Sequence, residues 1–133
     1  MSRPHFLQPL LRRTPAGSLQ LRNLRSGRSI ATTIETAFES ADRKKGLLGR
    51  DGLASGHALV IAPTNLVHTF AMRFPIDILF MARDGSVLKV RRAVPPRRIA
   101  GAWRAFAVVE LAAGQADASD TRAGDSVEVT AGP

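Results

Sequence analysis

The sequence predicts an all-β fold, a single compact β-sandwich or barrel of about eight strands with one short helix. From Ser18 onward, short runs rich in β-forming residues alternate with glycine or proline. The length of 133 residues suits one domain that buries a core without disulfides or a metal. We therefore expect a single all-β domain at residues 18–130, preceded by a flexible basic arm at residues 1–17.

The arm at residues 1–17 carries arginines and prolines without a sustained hydrophobic period. An arginine-rich, acid-free start is also typical of a transit peptide, although the prolines interrupt any amphipathic helix there. A secretory signal fits worse, because the apolar stretch is short and is broken by Gln8 and Pro9. No apolar run reaches the roughly 18 residues that span a bilayer.

The predicted strands recur at close spacing along the chain. In order they are SLQLRNL, SIATTIET, HALVIA, VHTFAM, IDILFMA, SVLKVRRA, RAFAVVEL and DSVEVT. The clearest hairpin joins IDILFMA to SVLKV, because Asp84 and Gly85 supply a turn that tolerates positive φ. The strand from Ile76 to Met81 is apolar on both faces after Asp77, which implies cover on both sides. We expect it to be the central strand of the core.

The segment ESADRKKGLLGR predicts the single helix. Ser40 is a candidate N-cap and Gly49 a candidate C-terminal stop. Leu47 and Leu48 supply the apolar contacts, so we expect this helix to pack over the sheet.

Composition limits the chemistry. The chain has no cysteine, which excludes a disulfide framework, a zinc-thiolate site and a thiolate nucleophile. The lack of cysteine is also compatible with a reducing cytoplasm, where we expect the protein. The formal net charge is +8, concentrated in the first 30 residues and in a second basic stretch at residues 89–104. This excess of arginine is as typical of a GC-rich genome as of phosphate binding, and net charge alone does not identify a site.

The second basic stretch is a candidate surface patch. With Trp103 beside it, the patch offers the charge and one stacking ring used in single-stranded nucleic-acid binding. We expect weak, non-specific binding of nucleic acid or an acidic partner at most, and only a solvated face if Trp103 is buried. The patch comprises Arg91, Arg92, Arg97, Arg98 and Arg104.

A second candidate site lies in VHTFAMRFPIDILF, where polar residues interrupt an apolar run. An unpaired carboxylate at Asp77 would be costly to bury, so it needs partners. In the interpretation that we favour, Asp77 accepts hydrogen bonds from a histidine, an arginine or backbone N–H groups and fixes two strands in register. The candidate donors from side chains are His68 and Arg73.

The functional alternative opens the same residues to solvent. Asp77 would then fix the tautomer of His68, Arg73 would bind an anion, and Thr64 or Thr69 would supply a hydroxyl. No GxSxG elbow or glycine-rich phosphate loop accompanies these residues, so we assign no catalytic residue. His57 and His68 have no recognisable metal-ligand spacing, and we assign neither a metal nor a cofactor.

Five motifs in this order resemble the bacterial and archaeal domain-of-unknown-function family numbered one hundred and ninety-two: KGLLGRDGL, ALVIAP, VHTFAMRFPIDILFMARDGSVLKV, VVELAAG and TRAGDSVEV. The resemblance covers about residues 18 to 130 and implies a compact, mostly β domain with one helix and no assigned activity. Family members typically carry cysteine after the proline of ALVIAP and tryptophan in the later proline-arginine stretch. Thr64 and Arg97 stand there instead, which argues against a thiol-based function and removes an aromatic surface.

The function that the sequence favours is therefore a small, soluble, non-catalytic binding or accessory module. One alternative is a site for a small anionic ligand, or a hydrolase-like site, around His68, Arg73 and Asp77. The other is weak binding of nucleic acid or an acidic partner through the arginines from Arg91 to Arg104.

Overall fold

A computed structural model describes residues 3–11, 19–70 and 72–132 of the chain. Within these ranges the fold is mainly β, which confirms the predicted fold class. In the same ranges it does not close into a barrel, and it has ten strands and three short helices where about eight strands and one helix were predicted. The strands are β1 (Leu19–Asn23), β2 (Ser29–Ala31), β3 (Thr33–Ala37), β4 (His57–Ile61), β5 (Leu66–His68), β6 (Ile76–Met81), β7 (Val87–Val94), β8 (Ile99–Gly101), β9 (Ala107–Ala112) and β10 (Val127–Ala131). The helices are α1 (Gln8–Leu11), α2 (Ser40–Lys45) and α3 (Gln115–Ala118).

The strands form three sheets. A five-stranded sheet has the order β3-β4-β9-β6-β7, a three-stranded sheet the order β10-β1-β2, and β5 pairs with β8 in a two-stranded ribbon. Strands β3 and β4 are parallel and are connected through α2, whereas the other pairs are antiparallel. The prediction that Ile76–Met81 is the central strand is wrong, because β9 lies in the middle of the five-stranded sheet. Burial alone does not distinguish the two, since β6 and β9 are both buried on both faces.

Both faces of the five-stranded sheet are covered, as the apolar pattern of β6 predicted. On one face, Leu79 and Met81 pack in a core with residues of the three-stranded sheet. On the other face, Ile78 and Phe80 pack in a second core with residues that follow α2 and with the inner side of the β5–β8 ribbon. Successive side chains of a strand point to opposite faces, so one short strand contributes to both cores.

The predicted hairpin between β6 and β7 is confirmed. Gly85 has φ +92° in its turn, and a Cβ there would lie 2.5 Å from the carbonyl oxygen of Val127. Glycine is therefore required by backbone conformation and by close approach of the neighbouring chain.

Helix α2 is shorter than the sequence predicted. Its N-cap is Glu39, which makes no side-chain cap hydrogen bond, and its C-cap is Gly46 with φ 47° and ψ −128°. The predicted roles of Ser40 as N-cap and Gly49 as stop are therefore wrong, since Gly46 already adopts a conformation that ends the helix. Leu47 follows the helix and packs in the second core, 2% exposed.

The N-terminal segment that the structure describes, residues 3–11, lies against the domain. Leu7 is fully buried in the core between the two larger sheets, and the Phe6 N–H donates to the Arg83 carbonyl. The sequence predicts a flexible arm at residues 1–17 with few apolar anchors, and Leu7 is one such anchor, because it fills a site in the core. The remainder of the predicted arm, residues 1–2 and 12–17, lies outside the described residues. No helix in the described ranges is long and apolar enough to cross a membrane.

Candidate functional site

Asp77 is held by backbone N–H groups. It is 1% exposed; Oδ1 accepts from Ala93 N at 2.8 Å, and Oδ2 accepts from Gly114 N at 3.1 Å and Ala116 N at 2.9 Å. Ala93 lies at an irregularity in the pairing of β7 with β6, and Gly114 is the N-cap of α3. The carboxylate thus satisfies donors that neither the sheet nor the helix pairs internally. Asp77 therefore has the structural role that the sequence favoured, with backbone N–H groups as donors and neither His68 nor Arg73 among them.

Two other predicted site residues have structural partners away from Asp77. Arg73 lies at the surface and pairs with Asp51 at 2.6 Å. Thr69 is 1% exposed; its Oγ1 donates to the Pro95 carbonyl at 2.7 Å and accepts from Arg98 N at 2.9 Å. The structure therefore does not bring Thr69, Arg73 and Asp77 together in one site.

Thr64 and His68, the remaining predicted residues, line one cavity of about 320 Å³. We call it the α2–β5 cavity, since α2 with the residues that follow it forms one side and the chain from Thr64 through β5 forms the other. A cis peptide bond joins Ala62 to Pro63 immediately before Thr64. The apolar part of the lining includes Leu47, Leu48, Ile61, Leu66, Val67 and Met72.

Glu110 is the acidic residue of this cavity, and sequence reasoning missed it. It is 3% exposed on β9, and none of the described residues donates a hydrogen bond to its carboxylate. Burial raises the pKa of Glu110 to about 7, against the smaller opposing effect of the positive charge of Arg50. An acid inside the apolar run AVVELA was the available signal, of the same kind that identified Asp77.

Basic residues of α2 complete the cavity lining. Arg43, Lys44 and Lys45 occupy the last turn of this short helix. The Arg43 guanidinium donates to the Phe38 carbonyl, whereas Lys44 and Lys45 are exposed. The cavity lining therefore combines a buried acid whose pKa is raised to about 7, the basic residues of α2 and several apolar side chains. Among the described residues, no group of three or more acidic or histidine side chains is placed to hold a metal ion.

The predicted arginine patch lies elsewhere on the surface. All five arginines of this patch are exposed, and Arg92 pairs with Asp117 at 2.8 Å. Trp103 is 80% exposed, and the Arg104 guanidinium lies 4.9 Å from the centroid of its ring. The sequence left the orientation of Trp103 open, and the structure places it in solvent.

Comparison with protein-family models matches residues 22–129 to DUF192, which is described as "Uncharacterized ACR". The chain belongs to the DUF192 family. The resemblance drawn from the five sequence motifs is thereby confirmed. Comparison with curated proteins gives no match.

The DUF192 chain is similar to two solved structures. One is a putative transcription regulator from Sinorhizobium meliloti 1021, with TM-score 0.73 and 24% identity, covering 85% of this chain and 92% of that one. The other is a protein of unknown function from Novosphingobium aromaticivorans DSM 12444, with TM-score 0.72 and 25% identity, covering 84% of this chain and 83% of that one. These similarities show that the fold described here recurs in both structures, over more than four fifths of each chain.

Proposed function

We propose that this chain is a non-catalytic binding module that holds a small ligand in the α2–β5 cavity. The observation that carries the proposal is Glu110, which is 3% exposed and receives no hydrogen bond from the described residues. Buried polar groups in native proteins are nearly always satisfied, because an unpaired carboxylate loses its hydration without compensation. The Glu110 carboxylate borders the α2–β5 cavity and is not among the fully buried polar atoms without a partner, so a ligand in the cavity can bond to it.

The lining defines the chemistry of the ligand. Near neutral pH Glu110 is partly protonated, so it both donates and accepts hydrogen bonds and suits a hydroxyl or amide group. Lys44 and Lys45 also line the cavity and attract a carboxylate or phosphate. Ile61 and Met72 supply the apolar wall for the body of the ligand. The ligand class is therefore a small organic anion that also carries a neutral hydrogen-bonding group.

The same geometry favours binding over the hydrolase-like alternative. That alternative needs a carboxylate to orient His68. Asp77 projects into the core on the Leu79 side of the sheet, whereas the β5–β8 ribbon that carries His68 covers the opposite face. The role of His68 in the proposal is to line the cavity and bond to the ligand.

The proposal is tested by adding a panel of small carboxylates and phosphates bearing hydroxyl or amide groups to the purified protein. Amide chemical shifts in a ¹H–¹⁵N NMR spectrum locate binding. We expect saturable shifts at Gly46, Thr64 and His68 for at least one compound. A double variant, Lys44→Ala with Lys45→Ala, should weaken that binding about tenfold or more, because each charge-assisted contact contributes on the order of 1 kcal/mol.

Arg22→Ala is the matched control, because Arg22 is an exposed arginine on β1 in the other sheet. It should leave the dissociation constant unchanged. Shifts that spread over the basic surface, or equal weakening by Arg22→Ala, would show attraction to net charge and contradict a cavity site. A panel without a saturable shift at any of the three amides would also overturn the proposal.

A further inference from the structure

The outer side of the β5–β8 ribbon presents large apolar side chains to solvent. Val67 and Ala100 face each other across the ribbon and pack into the second core, so Leu66 and Ile99 lie on its outer side. Leu66 is 58% exposed and Ile99 62% exposed, and Phe70, just after β5, is 46% exposed. A shallow groove of about 180 Å³ joins them. Single exposed apolar residues are ordinary, but a contiguous group marks an interaction surface.

Trp103 lies just beyond the end of the ribbon opposite Phe70. The Asn65 side-chain amide donates to the Trp103 carbonyl at 3.2 Å, which places the tryptophan beside the start of β5. The ring itself is 80% exposed and carries the Arg104 guanidinium against it. We call Leu66, Phe70, Ile99 and Trp103 the ribbon patch.

The charged residues that flank the ribbon patch along the chain are basic. The sequence contains no aspartate or glutamate in residues 52–76 or 85–109, the segments that carry both strands of the ribbon and their flanks. Arg97 and Arg98 are exposed immediately before Ile99, and Arg104 is exposed beside Trp103. The patch thus has apolar side chains bordered by arginines, with no acid nearby in the sequence. Such a surface complements a partner that has anionic groups on its outside and an apolar layer beneath them.

We propose that the ribbon patch docks the protein onto an anionic lipid bilayer. Leu66, Ile99 and Trp103 would enter the interfacial region while the arginines contact lipid phosphates. A second copy of the chain is disfavoured as the occupant, because it would oppose arginine to arginine. Single-stranded nucleic acid would stack on Phe70 and Trp103 but would leave the exposed aliphatic side chains of Leu66 and Ile99 unused, so it is disfavoured. Leu66 lines both this surface and the α2–β5 cavity, whereas Glu110 and Lys44 line only the cavity.

Trp103 serves as an intrinsic fluorescence probe, since it is the single tryptophan of the chain. Vesicles of phosphatidylcholine alone and of phosphatidylcholine mixed with phosphatidylglycerol are added at low and at physiological salt. Binding is measured by sedimentation and by Trp103 fluorescence. We expect cosedimentation and a blue shift with the anionic vesicles only, weakening as salt rises, since ring insertion removes Trp103 from water and salt screens the arginines.

Two variants test the patch against matched controls. Ile99→Ser should reduce the partition coefficient about fivefold or more, whereas Leu24→Ser, at a leucine 52% exposed after β1, should not change it. Arg98→Ala should reduce it about fivefold, the equivalent of about 1 kcal/mol per basic residue at the membrane, whereas Arg22→Ala should have a smaller effect. Arg98 and Ile99 are both exposed, so the variants should retain the fold, which circular dichroism checks.

Four results would overturn the proposal. The first is the absence of vesicle binding at low salt. The second is equal binding to neutral vesicles, and the third is equal loss in the Leu24 control. The fourth is an unchanged Trp103 emission with anionic vesicles, combined with another interaction that is lost in Ile99→Ser. That interaction would be binding of a single-stranded DNA oligonucleotide or concentration-dependent dimerisation.

Discussion

Asp77 and Glu110 lie one step apart in register on neighbouring strands and project from opposite faces of the same sheet. Asp77 pairs with Leu111, and Glu110 with Ile78. Both carboxylates are nearly inaccessible, at 1% and 3% exposed. Asp77 accepts three backbone hydrogen bonds, whereas no described residue donates to Glu110. The Asp77 carboxylate is therefore bonded within the fold, whereas the Glu110 carboxylate makes no hydrogen bond to a described residue.

Asp77→Ala should lower the free energy of unfolding by about 3 kcal/mol or more. The substitution leaves the Ala93, Gly114 and Ala116 N–H groups without their acceptor, and buried unsatisfied donors cost about 1–3 kcal/mol each. Asp77→Asn keeps one acceptor oxygen and should cost less. Urea unfolding of the two variants measures both values. A loss of unfolding free energy below about 1 kcal/mol for Asp77→Ala would contradict the structural role of Asp77.

His68→Ala is the companion experiment, because the sequence pairs His68 with Asp77 and the structure does not. His68 is exposed and makes a tilted contact with Phe70, with ring centroids 5.6 Å apart. Substitution should change the free energy of unfolding by no more than about 0.5 kcal/mol, as for other surface positions. Under the proposed function it should weaken ligand binding. A large loss of stability would show that His68 has a structural role in the folded protein.

Glu110 should make the protein less stable as pH rises from about 4.5 to about 7. Its pKa in the folded state is raised above the unfolded value of 4.5, so the folded protein holds the proton more tightly. This stabilisation is complete below the unfolded pKa and is lost as pH rises through the folded pKa. Glu110→Gln cannot titrate, so its stability advantage over wild type should grow across this window by up to about 3 kcal/mol.

Thermal and urea unfolding at several pH values test this expectation. Asp125 provides an internal contrast, because its hydrogen bonds with Arg25 and Asn23 lower its pKa. The contribution of Asp125 to stability is present above its unfolded pKa and is lost as pH falls through its lowered folded pKa. It therefore changes stability only under strongly acidic conditions. Parallel pH curves for wild type and Glu110→Gln would contradict the raised pKa.

Leu7→Ala should destabilise the protein by about 2–5 kcal/mol, the usual range for truncating a buried leucine. Leu7 is fully buried although it lies in the predicted arm. Leu11→Ala is the control, because Leu11 is 59% exposed and should change stability by less than about 0.5 kcal/mol. Equal unfolding midpoints for wild type and Leu7→Ala would mean that the segment is not part of the core.

Gly46→Ala should cost about 1–3 kcal/mol, because φ 47° with ψ −128° is a conformation that residues with a Cβ rarely adopt. The added Cβ would lie 3.9 Å from Glu110 Oε1, so the variant should also reduce ligand binding in the cavity. Gly52→Ala is the control, since Gly52 has no positive φ and open space around it. Calorimetric melting of the two variants distinguishes them.

The sequence by itself determined the mainly β class, the β6–β7 hairpin and the covered state of the strand that contains Ile78. These features depend on neighbours in the chain: alternation of apolar residues, turn chemistry at Gly85, and a run without a polar face. It also identified Asp77 as a carboxylate that needs partners, because the cost of burying a charge is evident from the apolar residues around it.

Only the tertiary structure decided which partners meet. Asp77 finds N–H groups of β7 and α3, up to 39 positions away, and backbone donors leave no signature in a sequence. Strand order placed β9 in the middle of the sheet and brought Glu110 beneath α2, although AVVELA resembles any other buried strand. Leu7 acquired its place in the core in the same way. Such contacts depend on the relative position of distant segments, and local pattern does not encode that position.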